Sequence, residues 1–517
     1  MQATLVIRFG SLGDVILTSP AVLNLKFHQP DSRLIFLTKK RFRGVAETLD
    51  GVDEVVTIPD HATPAQLFKV ALQLEDVGFD RIVDLHGNPR SWFVRTVLTA
   101  NRKVVYPKRR LQRRAAVRRH RKVIPNDFPH TIDLYNRAVA SLGAGICARR
   151  PVLTHGVLSL ESASFVERNA PVVLLAPGAA HPNKQWPLER FAALAERLTI
   201  DYHAGIVWAL TGADAPSLAS FRGKGDNDLV LVDAPLGELA ALLARVDLTV
   251  SNDSGLGHLS SAVGTSTLVL FGPTHPVLGF APRGLRDRVV QVDEPCRPCS
   301  LHGAAPCFRE ERFCFTRLSV DAVFEAAAEM LDRRGRHAAL LVDRDGTLIA
   351  NKHYLSDPEE IEFIDGSIEA LKLAREKGYR IVLVSNQSGV ARGLFPIEKV
   401  HTVNDRITAM LRQHGVEIDG FYFCPHYPAG VPGNPYVMAC ECRKPAPGMA
   451  EQAALALNLD LRRAVVIGDS LADTNMARAI GARRVLVRTG YGNQYLPKID
   501  AYTEVAEDLL GAVRSLV

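Results

Sequence analysis

The chain has 517 residues, and at about 150 residues per domain this length suggests three or four structural units. Basic residues outnumber acidic ones by 62 to 56, apolar residues make up 47% of the chain and charged residues 23%. This balance excludes a fibre, a long disordered chain and a highly basic nucleic-acid tail. Eight cysteines are too few for a disulfide scaffold, and their spacing indicates metal ligation in a reducing compartment.

The N-terminus lacks the basic region, the long apolar run and the cleavage site of a secretory signal. The longest stretch without Asp, Glu, Lys or Arg is 254–282, and its glycines and prolines favour strands and turns over a membrane-spanning helix. We therefore predict a cytoplasmic protein, with peripheral contact at the inner membrane left open.

Short apolar segments alternate with stretches of helical periodicity along almost the whole chain. The segments of strand length are 4–9, 34–38, 81–85, 172–176, 205–211, 248–251, 266–271, 339–342, 380–385, 464–468 and 484–488. This alternation predicts an α/β fold with mostly parallel sheets, whose ligands bind beyond the carboxyl ends of the strands. The predicted domains are 1–150, 151–332 and 338–517.

The first strand runs into a turn with two glycines, and Asp14 follows where a helix begins. Taken alone, Asp14 is typical of an acid stabilised by the helix dipole as well as of a catalytic base. Polar residues also follow two strands of the second domain, and one of these turns opens a helix with small residues, as a diphosphate cradle does. These candidates are Lys184, Asp253, Ser254, Gly255 and His258.

The segments 8–20, 184–187, 252–258 and 271–274 together resemble glycosyltransferase family 9, the lipopolysaccharide heptosyltransferases. The resemblance implies a GT-B fold, in which an N-lobe binds the acceptor and a C-lobe binds the nucleotide-sugar. It implies that Asp14 is the general base and that the reaction inverts the anomeric carbon. The donor, ADP-heptose, would be held by Lys184, Asp253, Ser254, Gly255 and His258.

Two further features of this region allow alternative interpretations. A second cysteine cluster could bind zinc or iron, or its members could be free thiols in a loop; it comprises Cys296, Cys299, Cys307 and Cys314. Residues 102–122 contain eleven lysines and arginines and no acid. They form either a solvated helix face or a surface that binds an anionic acceptor or an anionic membrane leaflet. The basic residues are not interleaved with the aromatic residues that would favour nucleic-acid binding, so we predict no nucleic-acid partner.

In the third domain, a buried strand ends in Asp343 and Asp345, which face the same way if the backbone stays extended. One carboxylate can attack phosphorus, and the other can give its proton to the leaving oxygen. Later strand ends and loops offer groups to hold phosphoryl oxygens, to neutralise charge and to bind Mg²⁺. These are Ser385, Asn386, Lys444 and Asp469.

These motifs, in this order, resemble the haloacid-dehalogenase (HAD) superfamily of phosphatases. The resemblance implies a HAD-like domain in which Asp343 forms an aspartyl-phosphate and Asp345 acts as acid and then base. Asp343, the backbone carbonyl of Asp345 and Asp469 would hold Mg²⁺. About 40 residues separate the first two motifs, which predicts a minimal cap.

A loop rich in proline and glycine carries the pattern C-x-H-x13-C-x-C, formed by Cys424, His426, Cys440 and Cys442. Three thiolates and one imidazole suit a structural tetrahedral Zn²⁺ site, and the alternative is a set of unliganded side chains. With this zinc loop, the domain resembles the histidinol-phosphate and heptose-bisphosphate phosphatase branch of the superfamily. Arg392 and Arg443 are then candidates to bind a second phosphate, and the alternative interpretation is that they are ordinary surface arginines.

The two resemblances predict a bifunctional enzyme of lipopolysaccharide and heptose metabolism. One half would transfer heptose from ADP-heptose to an inner-core acceptor. The other would hydrolyse the 7-phosphate of D-glycero-D-manno-heptose 1,7-bisphosphate. Alternatives are histidinol phosphate or another sugar phosphate as substrate, a different donor or acceptor, and a non-catalytic N-terminal binding module.

Overall fold

The computed structural model describes residues 2–118, 128–212, 216 and 228–516, so the end of the basic segment, 119–122, lies outside the described residues. The chain divides into two compact units, one of Met1–Gly145 with Arg149–Arg334 and one of Ile146–Ala148 with Gly335–Val517. Among the described residues the strands form three sheets, two in the first unit and one in the second.

The first sheet has the strand order β3-β2-β1-β4-β5. Its strands are β1 (Ala3–Ile7), β2 (Arg33–Lys39), β3 (Glu54–Ile58), β4 (Phe79–Asp84) and β5 (Ala100–Val105). Its helices are α1 (Leu12–Ile16), α2 (Ser19–His28), α3 (Arg43–Ala46), α4 (Pro64–Glu75), α5 (Pro89–Val97), α6 (Arg110–Ala116) and α7 (Thr131–Ala140).

The second sheet has the strand order β11-β10-β9-β6-β7-β8. Its strands are β6 (Val172–Ala176), β7 (Gly205–Leu210), β8 (Asp228–Val232), β9 (Leu248–Asn252), β10 (Thr267–Phe271) and β11 (Arg288–Gln291). The described helices of this part are α8 (Leu160–Arg168), α9 (Leu188–Tyr202), α10 (Leu236–Leu243), α11 (Gly255–Ala262), α12 (Phe313–Thr316) and α13 (Val320–Asp332).

The third sheet, in the second unit, has the order β14-β13-β12-β15-β16-β17. Its strands are β12 (His337–Val342), β13 (Arg380–Asn386), β14 (Gly420–Cys424), β15 (Leu459–Gly468), β16 (Arg483–Val487) and β17 (Glu504–Ala506). The helices are α14 (Ser367–Glu376), α15 (Ile397–Gln413), α16 (Gly448–Ala456), α17 (Leu471–Ile480), α18 (Gly492–Tyr495) and α19 (Leu509–Arg514).

Neighbouring strands run parallel in all three sheets, which confirms the predicted α/β class. Every residue of the central strands β1, β6 and β9 is buried, as expected where helices cover both faces of a parallel sheet. The carboxyl ends of neighbouring strands meet at one edge, where the candidate sites lie. Among the described residues no helix combines the length and the apolar character that crossing a membrane requires.

Candidate active sites

In the first unit, a cavity of about 730 Å³ lies at the carboxyl ends of both sheets. It contains all the transferase residues predicted from the sequence, namely Asp14, Lys184, Asp253, Ser254, Gly255 and His258. Asp14 lies in the first turn of α1, and Gly255 begins α11. The cavity therefore joins the candidate base to the candidate diphosphate cradle.

Two glycines allow α1 and α11 to approach each other closely at this cavity. A Cβ atom at Gly13 would lie 2.5 Å from Cδ2 of His258, and one at Gly255 would lie 2.7 Å from Cδ2 of Leu12. Both distances are far shorter than ordinary van der Waals contacts between carbon atoms. The small residues of the two turns therefore set the distance between Asp14 and the opposite wall.

The opposite wall holds a fixed ion pair and a buried histidine. Lys184 Nζ lies 2.8 Å from Oδ2 of Asp253, which also accepts a 2.6 Å hydrogen bond from Thr274 Oγ1. His258 is buried, its Nδ1 has no hydrogen-bond partner among the residues that the structure describes, and burial lowers its pKa below the usual value. A neutral His258 ring with an unused polar atom can contact a ligand in the cavity. Sequence reasoning missed Thr274, because its partner lies 21 residues away.

Arg8 is a further residue of this site that sequence reasoning missed. It lies just beyond β1, is 3% exposed, and its Nη2 is 2.6 Å from Oδ2 of Asp14. Arg8 begins the segment 8–20 that carries the family resemblance, but nothing in the sequence indicates a role of its own beyond that of a charged residue next to an apolar strand. Such a residue is buried only when it is paired.

The four cysteines of the second cluster surround a small cavity of about 20 Å³. They are not among the described groups in which three or more metal-binding side chains bring their ligand atoms within 4.8 Å of one another. Burial raises the pKa of the Cys314 thiol to about 11, so this thiol is protonated at neutral pH unless a metal displaces the proton. A metal at Cys296, Cys299, Cys307 and Cys314 stays a prediction.

In the second unit, a cavity of about 260 Å³ lies at the carboxyl ends of β12, β13 and β15. The predicted residues that line it are Asp343, Asp345, Ser385, Asn386, Lys444 and Asp469. They come from segments more than 120 residues apart, and the parallel sheet brings them together because its strands end at one edge.

Lys444 is the central cation of this cavity and is 4% exposed. Its Nζ donates to Oδ1 of Asp343 at 2.7 Å, to Oδ1 of Asp473 at 2.5 Å and to the Val384 carbonyl at 2.8 Å. Burial alone would lower the pKa of Lys444, but the two carboxylates outweigh it and the pKa lies above its usual value. Lys444 therefore carries a fixed positive charge beside the candidate nucleophile.

A carboxylate cluster at the same edge fits a divalent cation. Oxygens of Asp343, Asp469 and Asp473 lie within 4.8 Å of one another. Burial, together with the neighbouring charge of Asp473, raises the pKa of Asp469 to about 7, and burial also raises the pKa of Asp343. Hard oxygen donors that repel one another are a suitable set for Mg²⁺. The sequence prediction named Asp343, Asp345 and Asp469, and Asp473 is an addition to it.

The Asp345 side chain points into a hydrogen-bonded network of its own. Arg344 contacts both carboxylate oxygens at 3.0 Å, Gln387 Nε2 donates to Oδ2 at 2.8 Å, and Ser385 Oγ donates to Oδ2 at 3.3 Å. This network fixes the orientation of the candidate acid-base group. The side chain of Asn386, predicted to contact substrate, binds the backbone N–H and C=O of Lys444 at 3.0 and 3.1 Å.

Arg392 and Arg443 meet on one aromatic ring beside this cavity. Their guanidinium carbons lie 4.0 and 5.1 Å from the ring centroid of Tyr427. Arg392 also lies 5.9 Å from the ring centroid of Tyr354, which lines the cavity. The Nε of Arg392 is buried and has no hydrogen-bond partner in the described part of the chain. Stacking on Tyr427 occupies one face of each guanidinium, and Arg443 Nη1 donates to the His426 carbonyl at 3.4 Å. The remaining N–H groups of the two arginines can bind an anion.

The predicted zinc ligands converge on a common centre. Ligand atoms of Cys424, His426, Cys440 and Cys442 all lie within 4.8 Å of one another, with Sγ of Cys442 3.1 Å from Sγ of Cys424 and 3.2 Å from Nδ1 of His426. Three sulfur atoms and one ring nitrogen around one point match the donor set of structural Zn²⁺ sites. Cys442 directly precedes Arg443 and Lys444, so this centre is linked to the phosphatase cavity.

Two family models match the chain. Residues 67–304 match glycosyltransferase family 9 (heptosyltransferase), and residues 441–512 match a HAD-hydrolase-like family. A crystal structure of a family 9 glycosyl transferase from Veillonella parvula is 20% identical, with a TM-score of 0.52, and the match covers 64% of this chain and 97% of that chain. This likeness shows the fold of the N-terminal part.

Curated relatives match the C-terminal part. The D-glycero-beta-D-manno-heptose-1,7-bisphosphate 7-phosphatase of Yersinia pestis is 42% identical over 153 residues, which are 29% of this chain and 81% of the relative. The enzyme of the same name from Haemophilus ducreyi is 42% identical over 154 residues, which are 29% of this chain and 84% of that protein.

The protein is a two-part α/β enzyme, in which an N-terminal part that matches the glycosyltransferase family 9 model precedes a HAD-like phosphatase part. More particularly, through its C-terminal part the chain belongs to the family of D-glycero-β-D-manno-heptose 1,7-bisphosphate 7-phosphatases.

Proposed function

We propose that the phosphatase half removes the 7-phosphate of D-glycero-β-D-manno-heptose 1,7-bisphosphate. The observation that carries this proposal is the identity of 42% over 81% of a phosphatase of that name, combined with Asp343, Lys444 and Asp469 at one sheet edge. Asp343 attacks phosphorus, and Asp345 gives its proton to the departing sugar oxygen. Asp345 then takes a proton from water, which hydrolyses the aspartyl-phosphate.

Each neighbouring group has a defined part in this reaction. Lys444 neutralises charge on the transferring phosphoryl group, and Arg344 with Gln387 keeps the Asp345 carboxyl turned towards the leaving oxygen. Asp343, the Asp345 backbone carbonyl and Asp469, with Asp473 nearby, are the groups that would hold Mg²⁺. A bound Mg²⁺ would supply further charge stabilisation to the phosphoryl oxygens.

Arg392 and Arg443 bind the second phosphate of the substrate, the one that is not hydrolysed. Support comes from their shared stacking on Tyr427, which orients two guanidinium edges beside the cavity. A structural Zn²⁺ on Cys424, His426, Cys440 and Cys442 orders the loop that carries Arg443 and Lys444.

The glycosyltransferase half transfers heptose from ADP-heptose to a lipopolysaccharide inner-core acceptor. Asp14 deprotonates the acceptor hydroxyl, and the anomeric carbon inverts as the diphosphate departs. Lys184, the turn at Asp253, Ser254 and Gly255, and His258 contact the donor diphosphate. Support comes from the match to the heptosyltransferase family and from the single cavity that these residues share.

The described part of the basic segment, 102–118, attracts an anionic acceptor or the anionic leaflet that carries it. A cytoplasmic enzyme that docks at the inner membrane would use this charge, at roughly 1 kcal/mol per basic residue near the surface. Liposome binding should increase with anionic lipid and fall with salt. Binding that ignores both would contradict the electrostatic interpretation.

Reciprocal variants test the two activities in one chain. Asp14→Asn should abolish heptosyl transfer and leave phosphate release unchanged, and Asp343→Asn should do the reverse. Each variant then serves as the folding control of the other. A variant that loses both activities, or one that keeps both, would contradict the assignment of one active site to each half.

A further inference from the structure

Asp14 is held through only one of its two carboxylate oxygens. Oδ2 lies 2.6 Å from Nη2 of Arg8 and accepts hydrogen bonds from the backbone N and Oγ of Ser11, at 3.1 and 3.0 Å. No described group of the protein makes a hydrogen bond to Oδ1. Asp14 lines the cavity that also contains Lys184 and His258, so Oδ1 is the oxygen available to a substrate.

Arg8 is itself fixed by the surrounding fold. Its Nη1 donates to the Leu85 carbonyl at 2.6 Å, beyond the end of β4, and its guanidinium carbon lies 5.7 Å from the ring centroid of Tyr135. The side chain is 4% exposed and is not among the described residues that line the cavity. Arg8 therefore contacts the base and not the ligand space.

We propose that Arg8 is a positioning residue for glycosyl transfer, which anchors Oδ2 of Asp14 so that Oδ1 faces the acceptor hydroxyl. This inference rests on the proposed function of Asp14 as general base. In the reaction the acceptor oxygen bonds to the anomeric carbon while the bond from that carbon to the diphosphate oxygen breaks. The hydroxyl proton goes to Oδ1, and the diphosphate leaves with the bonding electron pair as ADP.

The electrostatics of the pair support this role. Burial alone would raise the pKa of Asp14, but the charge of Arg8 and the Ser11 hydrogen bonds outweigh it, and the pKa lies below its usual value. The other titratable groups that face Asp14 are His86, Tyr106, Lys108, Arg113, Tyr135, His258 and His302. Asp14 is therefore ionised at neutral pH, the state in which its carboxylate can accept the hydroxyl proton.

The test uses the full-length chain with ADP-heptose and lipopolysaccharide from heptose-deficient cells as acceptor. Arg8→Gln should lower kcat at least tenfold and move the acid limb of the kcat/KM pH profile at least one unit higher. The affinity for ADP and the KM for acceptor should stay within twofold, which a merely structural defect would not preserve. Arg8→Lys should restore part of the pH shift.

Two further variants calibrate the result. Ser11→Ala removes one donor to the same oxygen and should shift the acid limb in the same direction by less. Arg43→Gln, an exposed arginine paired with Glu47, should leave the profile unchanged.

Three outcomes separate the inference from its premise. If Asp14→Asn retains transfer, the proposed base and the inference both fall. If Asp14→Asn is inactive while Arg8→Gln and Arg8→Lys keep the wild-type acid limb, only the inference falls. If Arg8→Gln unfolds, an unchanged acid limb of the pH profile in both Arg8→Lys and Ser11→Ala would also overturn the inference about Arg8.

Discussion

At the residue scale, the candidate nucleophile, the candidate bases and the candidate Mg²⁺ ligands could be predicted because they follow strands at short, regular spacings. The contacts that orient them cannot be predicted in this way, since some partners are distant in sequence and others depend on how a turn folds. Gln387 reaches Asp345 across 42 residues, and Arg8 becomes a partner of Asp14 only because α1 folds back over the end of β1. Burial and hydrogen-bond direction, which decide these roles, are properties of the folded chain.

Lys444 offers a direct test of the phosphatase cavity. Lys444→Met removes the ammonium group between Asp343 and Asp473, so we expect phosphate release to fall at least 100-fold. Without Mg²⁺ the phosphatase half should also lose roughly 3 kcal/mol of unfolding free energy, because two buried carboxylates lose their partner. Steady-state kinetics and urea unfolding measure both, with Lys352→Met, an exposed lysine paired with Glu362, as control. A wild-type rate in Lys444→Met would contradict the assignment.

His130 predicts a pH dependence of stability in the transferase half. Its Nδ1 accepts from the Ile132 N–H at 3.2 Å and its Nε2 lies 2.8 Å from the Ala281 carbonyl, so the fold requires a neutral ring. Burial lowers the pKa of His130 from 6.5 to about 4. Between these values the unfolded chain binds the proton more readily, so the stabilisation is complete above pH 6.5 and is lost as pH falls towards 4.

Between pH 6.5 and pH 4 the free energy of unfolding should fall by at most roughly 3 kcal/mol because of His130. This fall should appear in calorimetry of the unfolding transition that ADP shifts upward. His130→Gln should flatten the slope, whereas His155→Gln, at an exposed position, should not. Equal slopes in His130→Gln and wild type would rule out His130 as the cause.

At the element scale, the strands named from the sequence are the central strands of the three sheets, and those not named are the edges. The edge strands are β3, β5, β8, β11, β14 and β17. An edge strand has fewer buried positions and needs no long apolar run, so its signal in the sequence is weaker or shorter than that of a central strand. In β5, for example, no residue is fully buried and two of its six residues are basic.

The contact between α1 and α11 can be tested at Gly13. Gly13→Ala adds a Cβ 2.5 Å from Cδ2 of His258, so the two helix starts must move apart. We expect heptosyl transfer to fall at least tenfold while phosphate release is unchanged. Gly44→Ala, where an added Cβ meets no atom within 4 Å, should leave both rates unchanged. Full transfer activity in Gly13→Ala would show that the close approach is not required.

We predict that phosphate release depends on a metal ion bound by the loop that carries the four candidate zinc ligands. Cys440→Ser should lower the zinc content by about one ion per chain, make the loop more sensitive to protease and reduce phosphate release at least tenfold. Elemental analysis and limited proteolysis measure these effects, with Cys147→Ser as a control outside the cluster. Unchanged zinc in Cys440→Ser would remove the proposed site.

At the scale of the whole molecule, the chain joins a part that matches the heptosyltransferase family to a part whose relatives are heptose-bisphosphate phosphatases. The two steps are not consecutive, because the sugar 1-phosphate left by the phosphatase must receive a nucleotide before a transferase can use it. The fusion therefore indicates a shared pathway and gives no reason to expect direct transfer of an intermediate. The shared pathway therefore depends on the heptose specificity of the phosphatase half.

Phosphate release by the full chain with Mg²⁺ measures this heptose specificity. The substrates are the α and β anomers of D-glycero-D-manno-heptose 1,7-bisphosphate and histidinol phosphate, with Asp343→Asn as the blank. We expect kcat/KM for the β anomer to exceed that for histidinol phosphate by at least 100-fold. A preference for histidinol phosphate would leave the fold and the metal ligands in place and would contradict a single heptose pathway.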